Sequence, residues 1–428
     1  MKKIIYIVLG GLGDLPLREL NNKTPLEAAL TPYMDRLAQS GQTGLVRPLS
    51  KEIAPESDIA VISLLGYDVK KYFTGRGPLE AFAEGLSIVK GNIVLRVNFA
   101  TAEDDGSTIK DRRVGRDLST EEAAALAKEI NSKITLTNAT FEFKNTVGHR
   151  GVLVIRGIRS QLSAWITNTD PAYGRLGLFG VVKDDFESRL QDSHPMSGFE
   201  DSVACVEAAQ ALNEFTHKTF QVLSESAVNK KRVEDGKLAA NIILSRDAGD
   251  CLPEFPAINT LYKDIKFGCF VQMPVERGVA LLSGFEIVDV PSSTGHLDVD
   301  YSVWAKIALD SLKKLDCIYI HIKGPDEAGH DGDCLKKKEV IEIIDKFFLG
   351  GLIPNIDLKE TIVCVTSSHC TVCSLKAHSS DPVPLLVAGG GIKPDGSLSF
   401  SEKAASLGSL GELKGQDILP LLVKYARE

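Results

Sequence analysis

Cys317-Ile318-Tyr319-Ile320-His321-Ile322-Lys323-Gly324-Pro325-Asp326-Glu327-Ala328-Gly329-His330 is the stretch from which the fold can be read. It opens on a short, mainly apolar run that ends at a lysine, a glycine and a proline, so it reads as a buried strand. Polar residues just past the C-terminal end of such a strand line the ligand crevice of an open α/β sheet. The pattern recurs. Residues 361–366 are followed by Ser367-Ser368-His369-Cys370, then Cys373 and Lys376-Ala377-His378-Ser379. Residues 4–9 are followed by Gly10-Gly11-Leu12-Gly13-Asp14, and residues 383–387 precede Gly389-Gly390-Gly391, read as a strand-end turn. Helical patterns at 32–39, 299–312 and 336–348 separate these runs, and Thr24-Pro25-Leu26-Glu27 has the spacing of a capping box. Apolar strands alternating with helices predict a mainly parallel sheet covered on both faces.

The middle of the chain has another character. Strand-like runs at 93–100, 140–143 and 152–156 lie between polar loops, with helical patterns at 120–130 and 201–224. They predict an antiparallel sheet with flanking helices. Residues 167–195 read as loop-rich, a candidate to close over a ligand, and the proline-bearing break near 251–255 reads as the return to the first domain.

The chain has 428 residues, 43% of them hydrophobic and 25% charged, too long for one ordinary core and too apolar for general disorder. A net charge of −8 argues against a nucleic-acid surface while leaving room for a local basic pocket. All eight cysteines fall between Cys205 and Cys373, and no secretory leader or membrane-length apolar stretch is evident. The expectation is a cytoplasmic protein with free thiols, not partnered with nucleic acid or membrane, its oligomeric state open.

Asp326 and His330 are four apart, so one turn of helix puts them on one face. With His369 and His378 they offer carboxylate and imidazole donors of intermediate hardness, a set that suits Zn²⁺ or Mn²⁺. Cys370-Thr371-Val372-Cys373 lacks the second Cys pair that a structural zinc site needs, so these thiols read as buried and reduced.

Taken in order, several motifs resemble the archaeal-type cofactor-independent (2,3-bisphosphoglycerate-independent) phosphoglycerate mutases of the alkaline phosphatase superfamily. They are Gly-Leu-Gly-Asp (11–14), Thr-Pro-Leu-Glu-Ala (24–28), Ser-Asp (57–58), Leu-Leu-Gly-Tyr-Asp (64–68), Thr-Gly-Arg-Gly-Pro-Leu-Glu-Ala (74–81) and Asn-Phe-Ala-Thr (98–101). They continue through Asp-Arg-Arg-Val-Gly-Arg (111–116), Gly-His-Arg (148–150), Asp-Pro (170–171) and 240–249 to Asp326, Gly-His-Asp-Gly (329–332), His378-Ser379 and 381–386. The resemblance implies an α/β fold: an alkaline-phosphatase-like, mainly parallel sheet sandwiched by helices, with an inserted smaller α+β domain. The metal-binding core is expected over 1–85 and 262–428 and a substrate-binding insert over 86–261, with the connections near 86 and 262 as candidate hinges.

The resemblance also implies two divalent cations (Mn²⁺ or Zn²⁺, or Mg²⁺), no need for 2,3-bisphosphoglycerate, and a phosphoserine on Ser57 that carries phosphate between the 3- and 2-hydroxyls of glycerate. Asp326, His330, His369, His378 and Ser57 are the expected metal ligands. Arg76, Arg112, Arg113, Arg116, His149, Arg150, Asp170, Arg246 and Lys323 are the expected contacts to phosphoglycerate, guanidinium forks being matched to phosphate and carboxylate.

Three positions depart from the pattern. Most members of the family it resembles have Asp where this chain has Gly10 and commonly Asp where it has Ser368, and many have His where it has Val61. The set Asp326, His330 and His378 is intact, whereas the set expected for the other cation keeps only Ser57 and His369. Three outcomes are open: a mutase working with one metal and a substitute base such as Asp58 or Asp14; a softer site recruiting Cys370 or Cys373; or a pseudoenzyme that binds phosphorylated metabolites without turnover. A phosphotransferase with another acceptor is a lesser alternative.

Overall fold

The structure is a computed structural model that describes residues 1–428 apart from 52, 53, 184, 272 and 292 and the side chains of Ser57 and Pro274. It divides into two compact units, Met1–Tyr72 with Glu254–Glu428, and Phe73–Pro253. These divisions fall earlier than the expected breaks near 86 and 262. Helix Arg76–Ala83 packs on the antiparallel sheet through Ala81, Val94, Val152 and Val154, so it goes with the inserted unit.

The larger unit is built on an eight-stranded sheet in which Phe267–Phe270, Cys317–Ile322, Lys3–Leu9 and Thr361–Ser367 are consecutive parallel neighbours. Val383–Gly389 runs antiparallel between Thr361–Ser367 and Gly41–Arg47. Both faces of the central strands are buried. Ile5, Ile7, Ile318, Ile320, Val363 and Val365 pack with Trp304 and Phe348 from the helical layer on one side. On the other, Tyr6 meets Tyr319 edge-on and donates to the Leu64 carbonyl at the end of helix Ser57–Leu64. Burial on both faces is why these strands read as continuous apolar runs. The capping box at Thr24 and Glu27 forms as its spacing predicts.

In the smaller unit Ile93–Ala102 lies between Arg150–Gly157 and Ile242–Gly249, all antiparallel, with Ala139–Asn145 outside Arg150–Gly157. Helices Thr120–Lys133 and Val203–Ser224 cover one face, their Leu126, Ile130, Leu212 and Phe215 meeting Ile93, Leu95, Val97 and Phe99. Strand residues one place on, Val94, Arg96 and Asn98, therefore face the other way. The stretch 167–195, expected to be loop, contains a hairpin of Tyr173–Leu176 and Phe179–Val182. Four-residue strands around Gly177 (φ 61°) are too short for the alternation by which strands are recognised.

Candidate functional site: a carboxylate–imidazole cluster and an arginine-rich face

In the larger unit the cluster forms where the two strands that flank Lys3–Leu9 end. Cys317–Ile322 passes through Lys323 into helix Gly324–Asp331, with Pro325 in its first turn and Gly332 in the left-handed conformation at its end. That helix presents Asp326 and His330 one turn apart. Thr361–Ser367 passes through Ser368 and His369 into the hairpin Cys370–Val372 and Ala377–Ser379, in which His378 pairs with Thr371. The loop after the first strand lies against both. Gly11 has φ 67°, and a Cβ there would stand 2.6 Å from both the Asp326 Cα and the Thr371 hydroxyl, so only glycine fits.

Asp326 is the hub. Its Oδ1 accepts from the Thr371 hydroxyl at 2.6 Å and lies 3.0, 3.4 and 3.5 Å from Nε2 of His369, His378 and His330. Its Oδ2 lies 3.7 Å from Lys323 Nζ. His330 and His378 donate their Nδ1 protons to the carbonyls of Lys376 and Pro55, which leaves both Nε2 atoms as lone pairs when the rings are neutral. Those two atoms stand 3.1 Å apart. Two lone pairs and a carboxylate oxygen at that spacing repel unless positive charge lies among them. Bonds of about 2.0–2.1 Å at tetrahedral angles would separate donors by about 3.3 Å, and the triangle of Asp326 Oδ1, His330 Nε2 and His378 Nε2 has edges of 3.1, 3.4 and 3.5 Å. These three residues fit a divalent cation of the zinc type.

The electrostatics keep Asp326 an anion: although burial opposes it, the facing His369 and His378 rings hold its carboxyl well below the usual range. Burial, then the neighbouring His378, push His369 down to about 3, so it is a neutral ring.

The second expected set does not fit in the same way. Neither Gly10 nor Ser368 supplies a carboxylate, and the side chain of Ser57 lies outside the described residues; its backbone opens helix Ser57–Leu64. Asp14 is paired with Lys337, which also donates to the carbonyls of Gly13 and Thr371, so it is committed to holding the loop. Asp58 is buried. The Cys370 thiol points at the carbonyls of Asp381 and Pro382 and its pKa is raised by burial, and Cys373 packs with Leu17, Leu20 and Cys334, its thiol pushed up to about 12 chiefly by burial. Neither resembles a thiolate ligand.

In the smaller unit the second face of the sheet is cationic. Arg96 stands opposite Arg246 across one strand pair, and Arg150 is opposite Asn98 on the other, so the three arginines share that face. Arg76, from the helix packed on it, bonds Glu80 at 2.7 Å, and Arg96 lies 3.7 Å from the same carboxylate. Burial, then the charges of Arg76 and Arg246, push Arg96 down to about 10. Burial and then Arg150 and Arg113 push His149 down to about 4. Arg112 grips Asp170 with two bonds of 2.7 Å, and the Arg246 guanidinium lies 3.6 Å from the centre of the Tyr173 ring. Arg112, Arg113 and Arg116 line a cavity of about 410 Å³ with Lys110 and Phe186. Guanidinium groups this close, with Glu80, Asp170 and Asp247 among them, are of the type that holds an anion.

The structure thus gathers Asp326, His330, His369, His378 and Lys323 in one unit, and the expected arginines with His149 and Asp170 in the other. Residues that the sequence reading passed over include Arg96, whose charge in a mainly apolar strand was a signal, and Lys337, Thr371, His321 and Glu276, for which no local pattern exists.

An α/β protein with a mainly parallel sheet and a carboxylate–imidazole cluster at its strand ends is the class that this fold and site define. A sequence profile described as 2,3-bisphosphoglycerate-independent phosphoglycerate mutase matches residues 38–229. Proteins of that name from Aeropyrum pernix and Thermococcus kodakarensis are 40% identical over 417 residues (96% of each chain) and 37% identical over 422 residues (99% of this chain, 97% of the relative). Among solved structures, a protein from Pyrococcus horikoshii is 31% identical with a TM-score of 0.78 over 100% of this chain and 97% of its own. A cofactor-independent phosphoglycerate mutase from Thermoplasma acidophilum is 32% identical with a TM-score of 0.63 over 100% of both chains. The chain belongs to the 2,3-bisphosphoglycerate-independent phosphoglycerate mutase family.

Proposed function

We propose that the chain interconverts 3-phosphoglycerate and 2-phosphoglycerate without 2,3-bisphosphoglycerate, as a metal-dependent cytoplasmic enzyme. The observation that carries this reading, within the family, is the donor triangle of Asp326, His330 and His378. Ser57 is the nucleophile. Its oxygen bonds phosphorus as the substrate's P–O bond breaks; the serine proton is lost and the glycerate oxygen gains one, and the reverse step returns the phosphoryl group to the other hydroxyl. Two residues before it, the Pro55 carbonyl holds the His378 ring, which couples the start of the serine helix to the cluster.

Asp326, His330 and His378 would hold a divalent cation, and their imidazole content favours Zn²⁺ or Mn²⁺ over Mg²⁺. Such a cation supplies positive charge that stabilises a transferring phosphoryl group. Arg76, Arg112, Arg113, Arg116, Arg150 and Arg246 bind the carboxylate and phosphate of the substrate, with Asp170 orienting Arg112 and neutral His149 offering a hydrogen bond. Lys323 adds charge beside Asp326.

Gly10 and Ser368 favour a second reading, a binder of phosphoglycerate-like anions that does not turn them over. A mutase assay with Zn²⁺ or Mn²⁺, beside a Ser57→Ala control and mass spectrometry of the Ser57 peptide, separates the two. Interconversion above the control with phosphate on Ser57 is expected; equal rates with retained phosphoglycerate binding would favour the second reading.

A further inference from the structure

Building on the reading of Asp326, His330 and His378 as a cation site, we propose that this chain holds one divalent cation and that His369 is its fourth ligand, oriented by Ser368 and the buried His321–Glu276 pair. At the place where two carboxylates are missing, His321 fills the space. Its Nε2 would be 3.3 Å from a Cβ on Gly10 and is 3.5 Å from the Ser368 hydroxyl. Its Nδ1 lies 3.2 Å from Glu276 Oε1, with both side chains no more than 2% exposed. The Ser368 oxygen is also 2.9 Å from His369 Nδ1, and His369 Nε2 is 3.0 Å from Asp326 Oδ1.

A cation at Asp326 needs the His369 Nε2 lone pair, which puts the His369 proton on Nδ1, 2.9 Å from the Ser368 oxygen that then accepts it. Ser368 in turn faces His321 Nε2 at 3.5 Å, and on the far side of that ring the Glu276 carboxylate lies 3.2 Å from Nδ1 without a formed hydrogen bond, so it favours a proton on Nδ1 by its charge. His369 thus presents a third imidazole nitrogen to the place where His378 and Asp326 present theirs, and the ligand atoms of these three residues lie within 4.8 Å of one another. With His330, whose Nε2 is 3.1 Å from that of His378, these residues would supply one carboxylate oxygen and three imidazole nitrogens, a donor number and type that suit zinc. A second cation would have neutral donors only, a weak prospect for a divalent ion.

The test is cation stoichiometry by native mass spectrometry, with affinity by chelator competition, on the full chain loaded with Zn²⁺. One Zn²⁺ per chain is expected, with His369→Ala weakening it at least 100-fold. His321→Asn and Glu276→Gln should weaken it about 10-fold, the range for groups that orient a ligand. In the Co²⁺-loaded protein His321→Asn should also dim the four-coordinate visible absorption, a change that a purely structural role would not produce. Gly10→Asp with Ser368→Asp should bind a second ion. Two ions on the unmodified chain, or one ion held with unchanged affinity by folded His369→Ala and His369→Gln chains, overturn this inference and leave the mutase reading standing. No bound ion at all overturns both.

Discussion

Two imidazole nitrogens 3.1 Å apart, each left as a lone pair because its ring partner donates to a backbone carbonyl, make Asp326 the residue on which the cluster depends. Asp326→Asn keeps the shape and removes the charge. It should lower Zn²⁺ affinity by 100-fold or more in chelator competition while the chain stays folded by circular dichroism. His149 reports on the arginine-rich face. Its folded pKa, about 4, lies below the unfolded value near 6.5. The native state therefore binds fewer protons, and the stabilising contribution, complete above pH 6.5, is lost as pH falls towards 4. Denaturant titrations from pH 7 to 4 should show a shallower loss for His149→Asn than for the unmodified chain. Bound phosphate, by offsetting Arg150 and Arg113, should raise the His149 pKa in an NMR titration.

At the scale of elements, helix Cys334–Ile343 anchors the loop and hairpin under the cluster through one buried ammonium group. Lys337 Nζ donates to Asp14 at 2.8 Å and to the carbonyls of Gly13 and Thr371 at 2.9 and 2.7 Å, with no side-chain exposure on either partner. Lys337→Met would strand the Asp14 carboxylate in the interior, and breaking a buried pair from one side costs roughly 3–5 kcal/mol. Urea unfolding should show a loss of that size, and Asp14→Asn combined with Lys337→Met should recover part of it. Helix Gly324–Asp331 owes its position to the same economy of space, since the loop at Gly11 comes so close to it that a methyl group would collide.

For the whole molecule, a cation bound only by the native state should stabilise it by mass action, about 2.7 kcal/mol at a free concentration of 100 times Kd. The thermal midpoint should therefore rise with added Zn²⁺ and fall back with EDTA, whereas Asp326→Asn should shift only a small fraction as far. No helix among the described residues is long and apolar enough to cross a membrane.

The strand ends, the helix carrying Asp326 and His330, and the antiparallel character of the middle were legible because they rest on local periodicity: apolar runs for strands buried on both faces, and a four-residue spacing for one helical face. The arginines were legible as motif positions, though their gathering on one sheet face was not. What the sequence by itself determined is which groups can give electrons or carry charge, and that they fall just after strands. Only the tertiary structure decided that Lys337 holds the loop, that Cys370 and Cys373 are buried, and that His321 stands beside Gly10 and Ser368. Those outcomes depend on distances between segments far apart in the chain, and no local pattern encodes such distances.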